Sequence, residues 1–228
     1  MVSKVRATPL GLLISGIFLA HPAVATPFTV TAWAPAGGAA VNISRIDAPT
    51  RNYNGSAGGF VMTNTVTAAS FVSWCVDIYQ YIPGSSPGEY TLDAGGLTLN
   101  ATTRNDLGRL ATMFLTAATT AGAANNAAAF QLAIWEILYE HNTSHTYDLA
   151  SGTFLSNAAS SAPHMIAQGL LAQLNNPNNS ANTYSLNVYT STRFQDQITF
   201  NNVPEPATLG LLGLALIGIG LARRRRAV

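Results

Sequence analysis

The sequence predicts an α+β domain, in which β-sandwich-like strands are interrupted by a three-helix insertion, followed by one C-terminal transmembrane helix. Three observations predict this architecture. Residues 28–82 and 183–200 contain alternating segments rich in β-branched and aromatic residues, and residues 106–175 between them carry helical periodicity. The third is an uncharged apolar run near the end of the chain. Because the helices are grouped between strand regions, the pattern indicates α+β rather than alternating α/β.

The strands are predicted from period-two alternation bounded by turn residues. The segment 70–82 is the strongest candidate, and glycine and proline at 83–88 end it. A turn-rich stretch over 52–59 is expected to be a loop. The predicted strands are 28–33, 40–46, 70–82, 183–189 and 194–200.

The three helices are predicted from apolar faces that follow residues able to cap a helix. Side-chain oxygens of Asn and Ser accept hydrogen bonds from the first free N–H groups of a helix, and proline is tolerated in the first turn. The helices run from Asn105 or Asp106 to about 119, from the cap at 125–126 to about 140, and from Ser161 to about 175.

Composition and charge exclude several classes of function. Charged residues make up 9% of the 228 residues, far below the roughly 25% of an average soluble protein. Between residues 26 and 203 there are five arginines, nine acids and no lysine, which gives a formal charge of −4. A nucleic-acid-binding protein needs a basic surface, so nucleic acid is excluded as a partner. One cysteine in an exported chain also excludes an internal disulfide framework.

The first 25 residues have the three parts of a secretory signal peptide. Lys4 and Arg6 precede a short apolar run over 10–20, and the small residues 23–25 provide a site for signal peptidase. The alternative is an uncleaved anchor, but the apolar run is too short to span a bilayer. We therefore expect export of a domain over residues 26–202.

The C-terminal segment is expected to anchor the chain in the inner membrane. Residues 207–222 carry no charge, and a helix of this length is about 24 Å long against a bilayer core of about 30 Å. The four arginines that follow are expected to remain in the cytoplasm and act as a membrane stop, which leaves the domain outside. These arginines are Arg223, Arg224, Arg225 and Arg226.

Residues 203–228 as a whole resemble the PEP-CTERM sorting signal of Gram-negative bacteria, which is also catalogued as the ice-binding protein C-terminal domain. The sorting motif is Val203-Pro204-Glu205-Pro206, followed by the apolar helix and the arginine cluster. The resemblance implies processing by an exosortase near the motif, display at the cell surface or in the extracellular matrix, and an association with exopolysaccharide and biofilm. Ice binding itself is not expected, because the chain has no regular repeat of threonines.

Cys75 and Gln131 are the candidate chemical residues of the exported domain. An exported lone cysteine is either free, paired between chains or used in chemistry. Gln131 shares one face of the second predicted helix with Ala128, Trp135 and Leu138. A glutamine among core residues needs a hydrogen-bond partner, which makes it the second residue of interest.

Trp74-Cys75-Val76 and Gln131-Leu132-Ala133-Ile134-Trp135 together resemble the motifs of the bacterial thioester domain. The resemblance implies that the thiol of Cys75 attacks the carboxamide of Gln131, with loss of ammonia, to form an internal thioester. Trp74, Phe130 and Trp135 would shield this bond from water. Phe130 departs from the family pattern, which usually has threonine there.

The thioester interpretation implies a protein that reacts once with an amine-bearing surface or matrix partner, and therefore not an enzyme. It needs no cofactor. The absence of lysine from residues 26–203 fits an electrophile directed at amines, and it excludes a lysine–asparagine isopeptide crosslink in the domain.

Three alternatives remain open on the sequence. The domain is a non-reactive structural protein of the matrix; or Cys75 belongs to a cysteine hydrolase with His141 and Asp77; or acidic and histidine side chains at 136–145 bind a metal. A catalytic cysteine normally lies at the start of a helix in an electropositive cleft, whereas Cys75 lies in an apolar strand. The residues 142–144 are expected to end the helix, which separates the metal candidates, so no metal site is expected.

Overall fold

The computed structural model describes residues 25–47, 50–140, 146–157 and 159–203. The predicted signal peptide, sorting motif, transmembrane helix and arginine cluster therefore lie outside the described residues, apart from Ala25 of the signal peptide and Val203 of the sorting motif. Within the described part of the chain, none of the helices combines the length and the apolar character that a membrane crossing requires.

Three helices lie between strand regions, as the periodicity predicts. The helices are α1 (Ala101–Thr119), α2 (Ala124–Tyr139) and α3 (Ala162–Leu174). The strands are β1 (Thr26–Asp47), β2 (Thr50–Asn64), β3 (Ser70–Cys75), β4 (Gly88–Ala94), β5 (Phe154–Ser156), β6 (Tyr184–Thr190) and β7 (Gln197–Asn202). All strand pairings are antiparallel, and β5 lies inside the helical insertion.

The strands form one sheet whose pairings return to the starting strand. The order is β2-β3-β7-β6-β4-β1-β5, and β1 also pairs with β2. Closure is possible because β3 and β4 each change partner along their length. In β3, Ser70–Ser73 pair with β2, whereas Trp74 and Cys75 pair with β7. The sequence predicted a sandwich-like arrangement without this closure. The change of partner within β3 and β4 resembles the corners of a sandwich, where a strand passes from one layer to the next.

Several predicted boundaries are wrong for local physical reasons. The predicted strands 28–33 and 40–46 and the predicted loop 52–59 belong to one long hairpin of β1 and β2. Its widest register shift lies between Trp33 and Gly38, where proline and glycine interrupt the alternation. The predicted strand 70–82 ends at Cys75, because the following segment turns away and the Asp77 carboxylate accepts a hydrogen bond from the N–H of Tyr79. Strands β4 and β5 were not predicted.

Helix starts also differ from the predictions. Asn100 caps α1 by accepting a hydrogen bond from the N–H of Thr103 at 2.8 Å, and Asp106 is a buried residue within the helix. Helix α2 begins without a side-chain cap, whereas Ser161 caps α3 as predicted. Asn100 and Asn105 are both suitable caps by residue type, so local propensity alone does not show which of them begins the helix.

Helix α2 is the central element of the domain. Every residue from 127 to 137 is buried, because α2 packs against α1, α3, β1 and β2. A helix buried on all sides has no solvent-facing position for polar residues. Gln131 and Glu136 are the polar residues of this buried stretch, and both are fully buried.

Candidate functional site

The candidate site lies where the end of β3 meets the second turn of α2. Cys75 is the last residue of β3 and is buried, as is Gln131 on α2. The two side chains come from segments that are 56 residues apart in sequence. The fold therefore brings together the two residues that the sequence singled out.

Two reciprocal hydrogen bonds join the Gln131 carboxamide to the backbone of Cys75. The N–H of Cys75 donates to Oε1 of Gln131 at 2.8 Å, and Nε2 of Gln131 donates to the carbonyl oxygen of Cys75 at 2.8 Å. The pair of bonds fixes both the position and the orientation of the amide. The polar group that the sequence placed among core residues is thus satisfied by the one residue with which it would react.

Aromatic packing aligns the two elements. Trp74, next to Cys75, contacts Phe130, next to Gln131, with ring centroids 4.7 Å apart in an edge arrangement. Phe130 also contacts Phe200 of β7. Edge-to-face aromatic pairs add stability beyond their buried area. Because Trp74 and Phe130 are each adjacent in sequence to a site residue, their contact sets the register of β3 against α2.

Trp135, the third predicted shielding residue, lies one turn after Gln131. It is buried and packs edge-on against Tyr53 of β2, with ring centroids 6.0 Å apart. Trp135 borders the cavity described next, whereas Trp74 and Phe130 are not among its lining residues. Trp74 and Phe130 therefore position the strand and the helix that carry the site, whereas Trp135 lines the cavity beside the site.

A cavity of about 340 Å³ adjoins the site, and both Cys75 and Gln131 line it. Its wall includes Tyr53 and Trp135, and Tyr81, which is 80% exposed, stands at the solvent side. Two buried polar atoms of lining residues, Nε1 of Trp135 and Oε1 of Gln80, have no hydrogen-bond partner among the described residues. The cavity is large enough for a group of several heavy atoms, since a water molecule occupies about 30 Å³.

Burial keeps the Cys75 thiol protonated at neutral pH. The pKa of this thiol is raised to about 12, chiefly by desolvation and to a smaller extent by the negative charge of Asp77, while a hydrogen bond from Nε2 of Gln197 acts in the opposite direction. The donor–sulfur distance is 3.6 Å. A thiol of this kind reacts slowly with reagents in solution, because only its thiolate form is nucleophilic, and it reacts best with a group held against it.

Sequence reasoning missed two side chains that contact the site. Gln197 of β7 lies directly opposite Cys75 in the strand pairing and is fully buried. Tyr139 of α2 accepts a hydrogen bond from the N–H of Ile78 at 3.0 Å and donates one to the carbonyl oxygen of Val76 at 3.1 Å, which holds the segment after Cys75. The sequence marks both only as side chains with a polar atom at positions predicted to be buried, Gln197 by the alternation of its strand and Tyr139 by the face of its helix.

The residues of the alternative sites are engaged elsewhere or lie outside the described residues. Asp77 accepts the hydrogen bond that shapes its own turn, and His141 and His145 are not described. Glu136 accepts a hydrogen bond from the N–H of Asp148, and Glu140 accepts one from the N–H of Thr153. Over the ranges that the structure covers, no three metal-ligating side chains form a cluster.

The comparisons with known proteins bear on the C-terminal segment. Residues 202–226 match the PEP-CTERM protein-sorting motif, which confirms the interpretation of residues 203–228 as a sorting signal of the kind that an exosortase processes. A search of curated proteins gave no match.

Among solved structures, the chain is similar to the N-terminal thioester domain of a surface protein from Clostridium perfringens, determined as a cysteine-to-alanine mutant. The identity is 16%, the match covers 64% of this chain and 89% of that chain, and the TM-score is 0.41.

Proposed function

We propose that this chain is an exosortase-sorted surface protein whose exported domain forms an internal thioester between Sγ of Cys75 and Cδ of Gln131. The thioester would then attach the protein, once, to a nucleophile on a surface or matrix partner. The observation that carries this proposal is the pair of hydrogen bonds by which the backbone of Cys75 holds the Gln131 carboxamide beside a cavity.

The hydrogen bonds give each atom of the amide a role in thioester formation. When Sγ of Cys75 attacks Cδ of Gln131, negative charge develops on Oε1, which already accepts the N–H of Cys75. The leaving nitrogen, Nε2, is held by the carbonyl oxygen of Cys75. The C–S bond forms, the C–N bond breaks, and the thiol proton leaves with the nitrogen as ammonia. Proximity contributes to the acceleration, because the carboxamide is already held against the residue that attacks it.

The burial of the site explains how such a bond would persist. The exposed fractions of Trp74 and Phe130 are at most 1%, and Trp135 covers the cavity side. Water exclusion slows hydrolysis of an activated acyl group. A nucleophile entering through the cavity would form a bond to Cδ of Gln131 and expel Sγ of Cys75, which takes up the proton that the nucleophile loses.

The reaction is stoichiometric, and the protein is therefore not proposed to be an enzyme. After one reaction, Gln131 carries a substituted amide and Cys75 is a free thiol, so no active form is regenerated. The absence of lysine from residues 26–203 leaves the domain without side-chain amines that would compete for the thioester. The expected partner presents a primary amine or a similar nucleophile.

The sorting signal supports the proposed location. Signal peptidase would remove residues 1–25, the helix over 207–222 would hold the chain in the inner membrane, and an exosortase would act at residues 203–206. The exported domain would then reach the cell surface or the extracellular matrix. A role in an exopolysaccharide-containing biofilm matrix is part of the proposal.

Intact-mass measurement tests the proposed function. In the full chain purified in detergent, the wild type should be lighter than its composition requires by one ammonia. Cys75→Ala and the isosteric Gln131→Glu should each show no such deficit. Methylamine should add its own mass to the wild type and release a thiol that iodoacetamide then alkylates.

A wild-type chain whose measured mass equals that of its composition, and to which methylamine does not add, would contradict the proposal. That result, together with normal folding of Cys75→Ala, would support the alternative of a non-reactive structural protein of the matrix. Repeated turnover of an ester or peptide substrate would instead support a cysteine hydrolase.

A further inference from the structure

Gln197 is the side chain that contacts the sulfur of Cys75 from the neighbouring strand. Cys75 and Gln197 are direct cross-strand partners between β3 and β7, so their side chains lie on the same face of the sheet. Gln197 is fully buried, and its Nε2 lies 3.6 Å from Sγ of Cys75. A buried amide in this position needs partners for all of its polar atoms.

Two neighbours fix the orientation of the Gln197 amide. The hydroxyl of Ser73 donates to Oε1 of Gln197 at 2.9 Å, and Nε2 donates to the carbonyl oxygen of Gln195 at 3.3 Å. Because a carbonyl oxygen only accepts, the nitrogen rather than the oxygen must face this side. The remaining hydrogen of Nε2 is therefore directed at the sulfur of Cys75.

We propose that Gln197 is a catalytic residue of the thioester reaction, whose amide N–H stabilises the negative charge on Sγ of Cys75. This inference rests on the proposed function. The sulfur carries that charge twice: when the thiol loses its proton and attacks Cδ of Gln131, and when an incoming nucleophile expels it. In the finished thioester the sulfur is nearly neutral, so the hydrogen bond is stronger in the transition states than in the resting state.

The electrostatic surroundings leave this role to Gln197. Asp77, in the segment after β3, disfavours the thiolate through its negative charge, and Tyr53 of β2 and Tyr90 of β4 also interact with Cys75. Both tyrosines have a raised pKa and are neutral at physiological pH. Of the described groups that shift the pKa of the thiol, Gln197 is the one that favours the ionised form.

The first experiment measures both reaction steps in Gln197→Met, which keeps the side-chain length and removes the donor. The starting sample is first treated with ammonia, which restores the Gln131 carboxamide and the Cys75 thiol, and the ammonia is then removed. We expect ammonia loss from this sample and methylamine attachment to the thioester each to slow by about 10- to 100-fold, as for loss of a hydrogen bond to a charged group. Thr199→Val, two residues further along β7, is the matched control and should keep wild-type rates. Rates for Gln197→Met equal to those of the control would overturn the proposal.

The second experiment separates this proposal from the proposed function. In a Gln131→Met background no thioester can form, and the rate at which iodoacetamide alkylates Cys75 at one fixed alkaline pH reports the thiolate fraction of Cys75. Adding Gln197→Met should slow this alkylation because the thiolate is less stable, whereas a purely structural role of Gln197 would leave the rate unchanged. The alkylation rate shows whether Gln197 stabilises the thiolate even if the wild type proves never to form a thioester.

A second substitution covers the case in which Gln197→Met does not fold, as judged by thermal unfolding. Gln197→Asn keeps the amide but withdraws it from the sulfur by one methylene group. It should slow both steps and, in the Gln131→Met background, slow the alkylation of Cys75. Reaction and alkylation rates equal to those with Gln197 intact, in a folded Gln197→Asn protein, would contradict the role assigned to Gln197.

Discussion

Gln131 and Glu136 lie five residues apart on helix α2, are both fully buried, and yet have very different surroundings. The Gln131 carboxamide is hydrogen-bonded on both sides by Cys75 and borders a cavity. The side chain of Glu136 accepts one hydrogen bond, from the N–H of Asp148 to Oε1, and its Oε2 has no partner among the described residues. Neither the Glu136 side chain nor its contact Asp148 lines the cavity.

The difference shows that burial of a polar group is not by itself a sign of chemistry. Glu136 fastens the segment around Asp148 to the central helix, and desolvation raises its pKa to about 8, with smaller contributions from Glu140 and Asp148. The Gln131 carboxamide does not ionise, but the residue it contacts, Cys75, carries a nucleophilic thiol and lines a cavity. A site is defined by the pairing of reactive groups and by access, rather than by an unusual polar residue.

The largest expected effect concerns the crosslink at Gln131. A bond between residues 56 apart in sequence restricts the unfolded chain, and the loop-entropy relation for disulfides gives about 4 kcal/mol for a loop of this size. Wild type with a confirmed thioester should therefore be about 4 kcal/mol more stable than the same protein after methylamine treatment. Denaturant unfolding of the two samples measures this difference, and coincident curves would show that the crosslink does not stabilise the domain.

The next effect concerns Glu136, whose carboxyl group should make stability depend on pH. Its pKa is about 8 in the folded state against 4.5 in the reference state, so the unfolded chain loses its proton first as pH rises. Stability from this group should fall between about pH 4.5 and 8. Glu136→Gln removes this pH-dependent loss of stability. As pH rises from 5 to 8, the free energy of unfolding of Glu136→Gln should therefore increase by about 2–4 kcal/mol relative to that of wild type.

Denaturant unfolding of wild type and Glu136→Gln at both pH values measures that gain. Thioester formation, followed by intact mass, should be unaffected, because Glu136 does not contact the site. A loss of the ammonia deficit in Glu136→Gln would mean that the two buried groups of α2 are coupled.

The smallest effect concerns Tyr139, which connects α2 to the segment after Cys75. Tyr139→Phe removes the hydroxyl that bridges Val76 and Ile78, and should lower the free energy of unfolding by about 1 kcal/mol. It should also speed hydrolysis of the thioester, because the segment beside Cys75 is released. Tyr184→Phe, on β6, is the control. Hydrolysis equally fast in both variants would separate Tyr139 from the protection of the site.

The elements that the sequence predicts correctly are those governed by local patterns. Helical periodicity, the Ser161 cap and the alternation of β6 depend on residues close in sequence, and each is found in the structure. The sorting motif is likewise a local pattern, and its match confirms it. The pairing of Cys75 with Gln131 followed from a resemblance between motifs, and the structure brings the two residues together.

What the sequence did not predict depends on long-range pairing. Strand β5 has three residues and gains its partners from β1, so no local periodicity marks it. The closure of the sheet depends on the change of partner within β3 and β4, which alternation cannot reveal. Gln197 became visible as part of the site only because its cross-strand partner is Cys75. Residue type alone did not distinguish it from other glutamines.

The two hydrogen bonds between Cys75 and Gln131 span a long sequence separation and therefore require the folded domain. In an extended chain, the thiol and the amide are ordinary, stable groups that share no contact. If the proposed chemistry operates, a chain threading through a secretion channel would be harmless to the machinery that moves it. The electrophile would arise only after the domain has folded on the far side of the membrane, so that folding would prevent premature reaction during export.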